Sequence, residues 1–157
     1  MTTQSIAQAG FLLDTSAVLS WLDPTGEPEH ARRRLDVLFG AHRPAGFPPV
    51  HVTAPTLAEV VHVRAHRTRT PAAGAALAED LEQLGVRVLD WRSGFLTELP
   101  AVHAAEQASV LYPLRSFTLA DELVLAAARH LGLTVVTTDQ FWWSAPDLGV
   151  SLFNYRA

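Results

Sequence analysis

The 157-residue chain contains no cysteine and no lysine, and each absence removes a class of chemistry. Without cysteine the protein has no thiol nucleophile, no disulfide and no thiolate metal site. All twelve basic residues are arginine, so Schiff-base catalysis and the lysine of a phosphate-binding P-loop are excluded as well. Carboxylate, hydroxyl, imidazole and guanidinium groups remain as candidates for the chemistry.

Long apolar runs are also missing. No run reaches the roughly 18 residues of a membrane span, and the first ten residues lack the basic start and apolar core of a signal peptide. We therefore expect a cytoplasmic protein with no membrane contact. The length predicts one domain that buries roughly 70% of the surface exposed by its unfolded chain. We assign residues 10–157 to this domain and residues 1–9 to a flexible N-terminus.

The net charge of −4 argues at first against a nucleic-acid partner. Four acidic residues account for all of it, because without them twelve acids face twelve arginines. These four are Asp14, Glu59, Asp121 and Asp139. Divalent cations bound by such acids would remove the repulsion of a phosphate backbone, so the overall charge leaves the question of a nucleic-acid partner open.

Short apolar segments alternate with helical ones, which predicts βα units and an α/β fold with a mainly parallel sheet. We expect strands at residues 10–13, 50–52, 86–89, 133–137 and, as an edge strand, 150–155. We expect helices at residues 15–22, 29–39, from about 55, from 71 to 85, 95–111 and 118–131. The proline-rich residues 40–49 are predicted to form a loop.

The four acids lie where apolar segments meet polar ones. Asp14 closes the run Phe-Leu-Leu, and Asp139 closes Val-Val-Thr-Thr. In an open α/β sheet, ligand sites lie at the carboxyl ends of the strands, so carboxylates placed there would converge. Converging negative charges need a cation, and oxygen ligands suit Mg²⁺ or Mn²⁺. Metal-dependent phosphate chemistry is therefore the leading hypothesis.

Each acid also has a purely structural interpretation. Asp14 has the position of a helix cap, and Asp121 follows Thr118 at the spacing of a capping box. Asp139 is placed to start a turn, and Glu59 to lie on the solvated face of its helix. Hydroxyl groups lie beside two of the acids: Ser16 follows Asp14 by two residues, and Thr137 precedes Asp139 by two. They are placed to position water or phosphate oxygens, or to serve only as strand and cap residues.

Three motifs together resemble PIN-domain ribonucleases, particularly toxins of the VapC type. The first is Phe-Leu-Leu-Asp14-Thr-Ser-Ala-Val, and the second is Thr56-Leu-Ala-Glu59-Val-Val. The third is the long block Thr118-Leu-Ala-Asp121-Glu-Leu-Val-Leu-Ala-Ala-Ala-Arg-His-Leu-Gly-Leu-Thr-Val-Val-Thr-Thr-Asp139. The resemblance covers most of the chain and has least support in residues 24–50 and 90–115. The proline-rich stretch from Asp23 to Pro49 departs from the family pattern.

The resemblance implies a three-layer α/β/α PIN-like fold with a mainly parallel central sheet over residues 10–157. It also implies a Mg²⁺-dependent endoribonuclease that hydrolyses RNA by metal-activated water, with Mn²⁺ as a substitute ion. Asp14, Asp121 and Asp139 would hold one or two ions, with Glu59 as a ligand or as a holder of water. The family's supporting hydroxyls map onto Ser16 and Thr137. A homodimer and a cognate antitoxin that covers the site are the partners implied, beside the RNA substrate.

Other residues have two interpretations each. Arg64 and Arg67 follow Glu59 along its helix, where arginine forks suit RNA phosphates and where a solvated face is equally in keeping with the pattern. The pair Trp142 and Trp143, after Phe141, suits base stacking, a partner surface or core packing.

Rival functions remain open. A PIN-like module that binds RNA or protein without cutting would keep the same fold. A phosphoacceptor domain with a strand-end aspartate is disfavoured, because such domains rely on a lysine. A di-iron bundle uses Glu-x-x-His twice, whereas Glu59 and His62 form it once here. We therefore expect His62 and His66 to lie at the surface or near RNA.

Overall fold

The computed structural model describes residues 10–69 and 76–157. In this part of the chain five parallel strands form one sheet in the order β3-β2-β1-β4-β5. The strands are β1 (Phe11–Leu13), β2 (Val50–Thr53), β3 (Val86–Leu89), β4 (Thr134–Val136) and β5 (Leu152–Phe153). The predicted α/β class and parallel sheet are confirmed, including the predicted edge strand.

Seven α-helices connect these strands within the described residues. They are α1 (Thr15–Leu22), α2 (Glu29–Leu38), α3 (Ala54–Thr68), α4 (Leu77–Gln83), α5 (Leu99–Ala108), α6 (Leu119–Leu131) and α7 (Gln140–Ser144). Helix α3 begins as the sequence predicts, with a proline in its first turn and the Thr53 hydroxyl accepting the Thr56 N–H at 3.2 Å. No helix of the described residues is long and apolar enough to cross a membrane.

Apolar side chains cover both faces of the sheet, which gives the three layers. Leu12 and its register partner Val135 belong to the cluster formed with α5, α6 and α7. Leu13 and its partner Val136 belong to the second cluster, formed with α1, α2, α3 and α4. Successive strand residues point to opposite faces, so β1 and β4, buried on both, stand at the centre of the fold.

One helical prediction needs correction, and the start of another lies outside the described residues. The predicted helix 95–111 is divided into a 3-10 helix (Ser93–Glu98) and α5, because Pro100 has no N–H to continue the preceding turn and occupies the start of a new helix. The predicted helix from residue 71 begins only at Leu77 in the described chain. The first residues of this predicted helix, 71–75, lie outside the described residues, as does the predicted flexible N-terminus, residues 1–9.

The proline-rich segment that departs from the family pattern, Asp23 to Pro49, packs against the rest of the domain. Its first part forms α2, and its loop is held by Arg43, whose guanidinium donates to the carbonyls of Val37 at 3.0 Å and of Gly85 at 3.3 Å. Phe47 stacks on Phe11, with ring centroids 5.7 Å apart. The segment therefore closes the α1 face of the sheet beside β1.

Candidate active site

The candidate site lies where the direction of strand addition reverses. β1 is paired with β2 on one side and with β4 on the other, and parallel α/β sheets bind ligands at the carboxyl ends of such a pair. Asp14 follows β1 directly, and its N–H donates to the Val136 carbonyl of β4 at 3.0 Å. Thr137 and Asp139 follow β4. The fold thus brings Asp14 and Thr137, which are 123 positions apart, into hydrogen-bonding contact.

Asp14 is buried, with 5% of its surface exposed. It occupies the N-cap position of α1, but its carboxylate makes no capping hydrogen bond. Instead, Asp14 Oδ2 accepts the hydroxyl of the fully buried Thr137 at 2.8 Å. The structural interpretation as a simple cap therefore does not explain this carboxylate, and Thr137 rather than Thr138 supplies the hydroxyl beside it.

Glu59 is half-buried on α3 rather than on a solvated face. Its Oε2 accepts the Thr15 hydroxyl of α1 at 3.2 Å. Since Thr15 directly follows Asp14, this hydrogen bond draws the carboxylate of α3 toward the end of β1.

Asp121 forms the predicted capping box of α6 and also lies in the candidate site. In the capping box of α6, its N–H donates to the Thr118 hydroxyl at 3.1 Å and its Oδ2 accepts the Thr118 N–H at 2.9 Å. The negative charge of Glu59 contributes to the raised pKa of Asp121, so α3 and α6 bring these two carboxylates near each other.

Asp139 is partly exposed, with 33% of its side chain accessible. Its Oδ1 accepts the Phe141 N–H at 3.0 Å and so caps α7, and the same oxygen lies 3.2 Å from Nη2 of Arg115. The sequence pattern pointed to Asp139 but not to Arg115, because no helical or strand periodicity connects two residues 24 positions apart.

Burial and mutual repulsion raise the pKa values of two of these carboxyl groups. Burial raises the pKa of Asp14 to about 7, and the negative charge of Asp121 contributes to that rise against the opposing Thr137 hydrogen bond. Burial also raises the pKa of Asp121 to about 6, with Glu59 and Asp139 as further negative neighbours and the Thr118 hydrogen bonds acting in the opposite direction. A nearby cation would relieve this repulsion.

The donor set fits a hard divalent cation in its chemistry. Four carboxylates and a buried hydroxyl offer oxygen ligands of the kind that Mg²⁺ and Mn²⁺ take. In the described part of the chain, no three acidic or histidine side chains stand close enough together to hold one ion. Each carboxylate instead accepts a hydrogen bond from a nearby group of the protein. Binding of one ion by several of them would require these side chains to change rotamer.

Ser16 and the arginines predicted to bind RNA line two grooves beside α1. Ser16 Oγ accepts the Thr138 N–H at 3.4 Å, and both residues line a groove of about 350 Å³ that runs along α1 to Arg67 and Arg156. A second groove, of about 220 Å³, shares Arg67 with the first and is also lined by Arg64. The two arginines predicted to bind RNA thus line adjoining grooves, and the first of these grooves begins at Ser16.

Comparison with known proteins identifies the fold family. The PIN domain family model matches residues 11–142. The chain belongs to the PIN domain family. A comparison with curated proteins gave no match.

Solved structures with this PIN fold come from several bacteria. VapBC2 from Rickettsia felis, bound to a DNA fragment from its promoter, is 14% identical with a TM-score of 0.65, covering 92% of this chain and 98% of that one. DNA-bound VapBC from Salmonella typhimurium is 21% identical with a TM-score of 0.63, covering 93% and 98%. Mycobacterium tuberculosis VapC20, a toxin that cleaves the sarcin-ricin loop, is 23% identical with a TM-score of 0.58, covering 90% and 98%.

The sequence missed two partners in the PIN site. Thr15 belongs to the Asp-Thr-Ser motif, but the motif does not show that its hydroxyl reaches Glu59, 44 residues away. Arg115 lies in the segment of least family resemblance. Both contacts depend on how helices and loops cross the strand ends, which local sequence patterns do not encode.

Proposed function

We propose that this PIN domain is an endoribonuclease that depends on a divalent metal ion, Mg²⁺ or, as a substitute, Mn²⁺. The observation that carries the proposal is the placement of the buried Asp14 and the partly buried Asp121 at the switch point of the sheet, where burial and negative neighbours raise the pKa of both carboxyl groups. A protein that used these residues only as caps would have no reason to bury the Asp14 charge.

The residues have separate roles in this proposal. Asp14, Asp121 and Asp139 hold the ion, and Glu59 serves as a further ligand or orients water. Thr137 fixes the Asp14 carboxylate, and Ser16 supports the site from the first turn of α1. When bound, the ion activates water and neutralises charge on the scissile phosphate.

Arg64 and Arg67 extend the site toward the RNA backbone. Both line grooves that continue from Ser16 along α1 and α3. Guanidinium groups pair with phosphate oxygens through two parallel hydrogen bonds, and such contacts position a nucleic acid without reading its bases. We infer that the strand follows this course on one side of the scissile phosphate.

We further infer that the protein is the toxin of a toxin–antitoxin pair. The three sequence motifs resemble VapC toxins, and the similar VapBC structures hold such a protein in a complex. An antitoxin that covers the four acids would suppress cleavage. Addition of the product of a small neighbouring gene to the cleavage reaction tests this inference, with loss of cleavage as the expected result.

An exposed apolar segment supports a protein interface, which we assign to a homodimer. Val110 and Leu114, in the loop between α5 and α6, are 90% and 93% exposed, and Leu119 at the start of α6 is also exposed. Clustered apolar side chains of this kind mark interaction surfaces. Sedimentation of wild type and Leu114→Arg tests the assignment: a dimer that dissociates in the variant is expected, and a monomeric wild type would contradict it.

The nuclease proposal is tested by incubating total RNA with the purified protein in Mg²⁺, in Mn²⁺ and in EDTA, beside Asp14→Asn. Discrete fragments that require metal and disappear in the variant are expected. RNA that stays intact with the wild type while metal still binds would assign the protein to the rival class, a PIN module that binds without cutting.

A further inference from the structure

The loop between α5 and α6 brings an arginine onto one of the four carboxylates. Nη2 of Arg115 lies 3.2 Å from Asp139 Oδ1. The guanidinium also lies over the Phe141 ring, with Cζ 6.0 Å from the ring centroid. The side chain is 56% exposed. Arg115 is thus held by a carboxylate and a ring while it still faces solvent at the mouth of the candidate site.

This pairing differs in kind from the contacts of the other three acids. Those are hydrogen bonds from neutral donors: the Thr137 hydroxyl to Asp14, the Thr15 hydroxyl to Glu59 and the Thr118 backbone N–H to Asp121. A neutral hydroxyl or amide N–H can remain beside a carboxylate that also binds a cation. A guanidinium repels a divalent ion on the same carboxylate, because two like charges about 4 Å apart repel strongly near a protein surface. The pair with Arg115 therefore opposes the use of Asp139 as a metal ligand.

We propose that Arg115 is a phosphate-binding residue of the site, held on Asp139 until that carboxylate turns to the cation. The proposal rests on the proposed nuclease function. Once Asp139 turns, the guanidinium keeps its contact with the Phe141 ring, since a cation–π contact does not require the carboxylate. Its fork is then available to a phosphate group of the substrate, which guanidinium groups bind well. Arg115 thus exchanges the Asp139 carboxylate for a phosphate group of the substrate.

The first test measures Mn²⁺ binding by calorimetry without RNA. Wild type is compared with Arg115→Gln, Arg115→Lys and Arg33→Gln, and thermal unfolding verifies that each variant is folded. Arg33 is a matched control, because it is an exposed arginine that pairs with Glu29 on α2. Loss of a competing surface ion pair predicts about two- to fivefold tighter Mn²⁺ binding by Arg115→Gln. Arg115→Lys and Arg33→Gln are expected to bind Mn²⁺ as wild type does.

The second test measures kcat/KM for RNA cleavage as a function of salt concentration. Loss of one charge-assisted phosphate contact predicts a decrease of about tenfold in Arg115→Gln, mainly through KM. The slope of log kcat/KM against log salt is expected to fall by about 0.7, the value for one phosphate contact on a single strand. A residue that only supports the fold would not change this slope, and Arg33→Gln is expected to retain it.

The outcomes separate this proposal from the nuclease proposal. If Arg115→Gln binds Mn²⁺ with the wild-type affinity, Arg115 does not compete with the cation for Asp139. If the salt slope of Arg115→Gln equals that of wild type, Arg115 does not bind a phosphate of the RNA. If wild type binds Mn²⁺ but cleaves no RNA, the nuclease function fails, while calorimetry still decides whether Arg115 competes with the cation for Asp139.

Discussion

At the residue scale, Asp14 is the group whose charge is least compatible with its surroundings. It is buried, and its pKa of about 7 results mainly from desolvation and from the negative charge of Asp121. Asp139, by contrast, keeps part of its side chain in solvent and has a guanidinium partner. The site therefore combines one deeply placed carboxylate with one at its rim.

The pKa of Asp14 predicts how the metal-free protein responds to pH. Its unfolded value is 3.8 and its folded value about 7, so between these the folded state binds more protons than the unfolded state. The free energy of unfolding therefore falls as pH rises from about 4 to 7, and the Asp14 contribution amounts to roughly 2–4 kcal/mol. Asp14→Asn removes this contribution while keeping a side-chain oxygen that accepts the Thr137 hydroxyl.

Urea unfolding in EDTA at pH 5 and pH 8 measures this effect. We expect Asp14→Asn to gain stability relative to wild type as the pH rises, with the larger difference at pH 8. Parallel pH dependences of the two proteins would show that Asp14 is ionised freely in the fold and would contradict its placement.

Single residues of the site were predictable where their position in an element decides their role. Asp14 and Asp139 follow strands, and strand ends of a parallel sheet meet at one edge, so their convergence follows from the chain pattern. The partner of each carboxylate was not predictable in the same way. Thr15 reaches Glu59 and Arg115 reaches Asp139 across 44 and 24 residues, through helix crossings and a loop path that periodicity does not contain.

At the element scale, α6 shows how local signals fix both ends of a helix. Thr118 provides the N-cap, and Gly132 ends the helix in the left-handed conformation, with φ of 69°. These two residues are the boundaries that the sequence indicated. By contrast, α7 was missed, because its five residues are too few for a periodic pattern and its start depends on Asp139 serving as cap.

The Thr118 cap predicts a measurable loss of stability. Thr118→Ala leaves the Asp121 N–H without its acceptor and is expected to lower the free energy of unfolding by about 1 kcal/mol. Thr118→Ser retains the hydroxyl and should stay close to wild type. Urea unfolding of the three proteins checks the prediction, and coincident curves for wild type and Thr118→Ala would count against the capping box.

At the scale of the whole molecule, two apolar clusters fasten helices to opposite faces of the sheet. The adjacent tryptophans of α7 show the difference between core and surface: Trp142 is fully buried in the cluster of α5 and α6, whereas Trp143 is 43% exposed. The sequence left core packing, base stacking and partner contact open for this pair. The structure assigns Trp142 to the core.

This matched pair predicts unequal effects of the same substitution. Trp142→Ala is expected to lower the free energy of unfolding by about 3–5 kcal/mol, since it empties a buried site. Trp143→Ala is expected to change it by less than about 1 kcal/mol, as for most surface positions. Chemical denaturation of both variants measures the two values, and equal losses would contradict the assignment of one ring to the core.

The whole fold places the carboxyl ends of β1 and β4 side by side, and the central claim is that acids gathered there cleave RNA with a metal ion. The most direct measurement compares Asp121→Asn with Glu122→Gln in Mg²⁺. Both acids lie in the first turn of α6, but the Glu122 carboxylate lies 3.2 Å from Nε2 of His103 on α5. If Asp121 is a metal ligand as proposed, its replacement should lower the cleavage rate by about 10²–10³-fold.

The account predicts this loss in Asp121→Asn and a rate close to wild type in Glu122→Gln. Equal rates in wild type and Asp121→Asn, with both proteins folded, would show that the gathered carboxylates do not perform the cleavage.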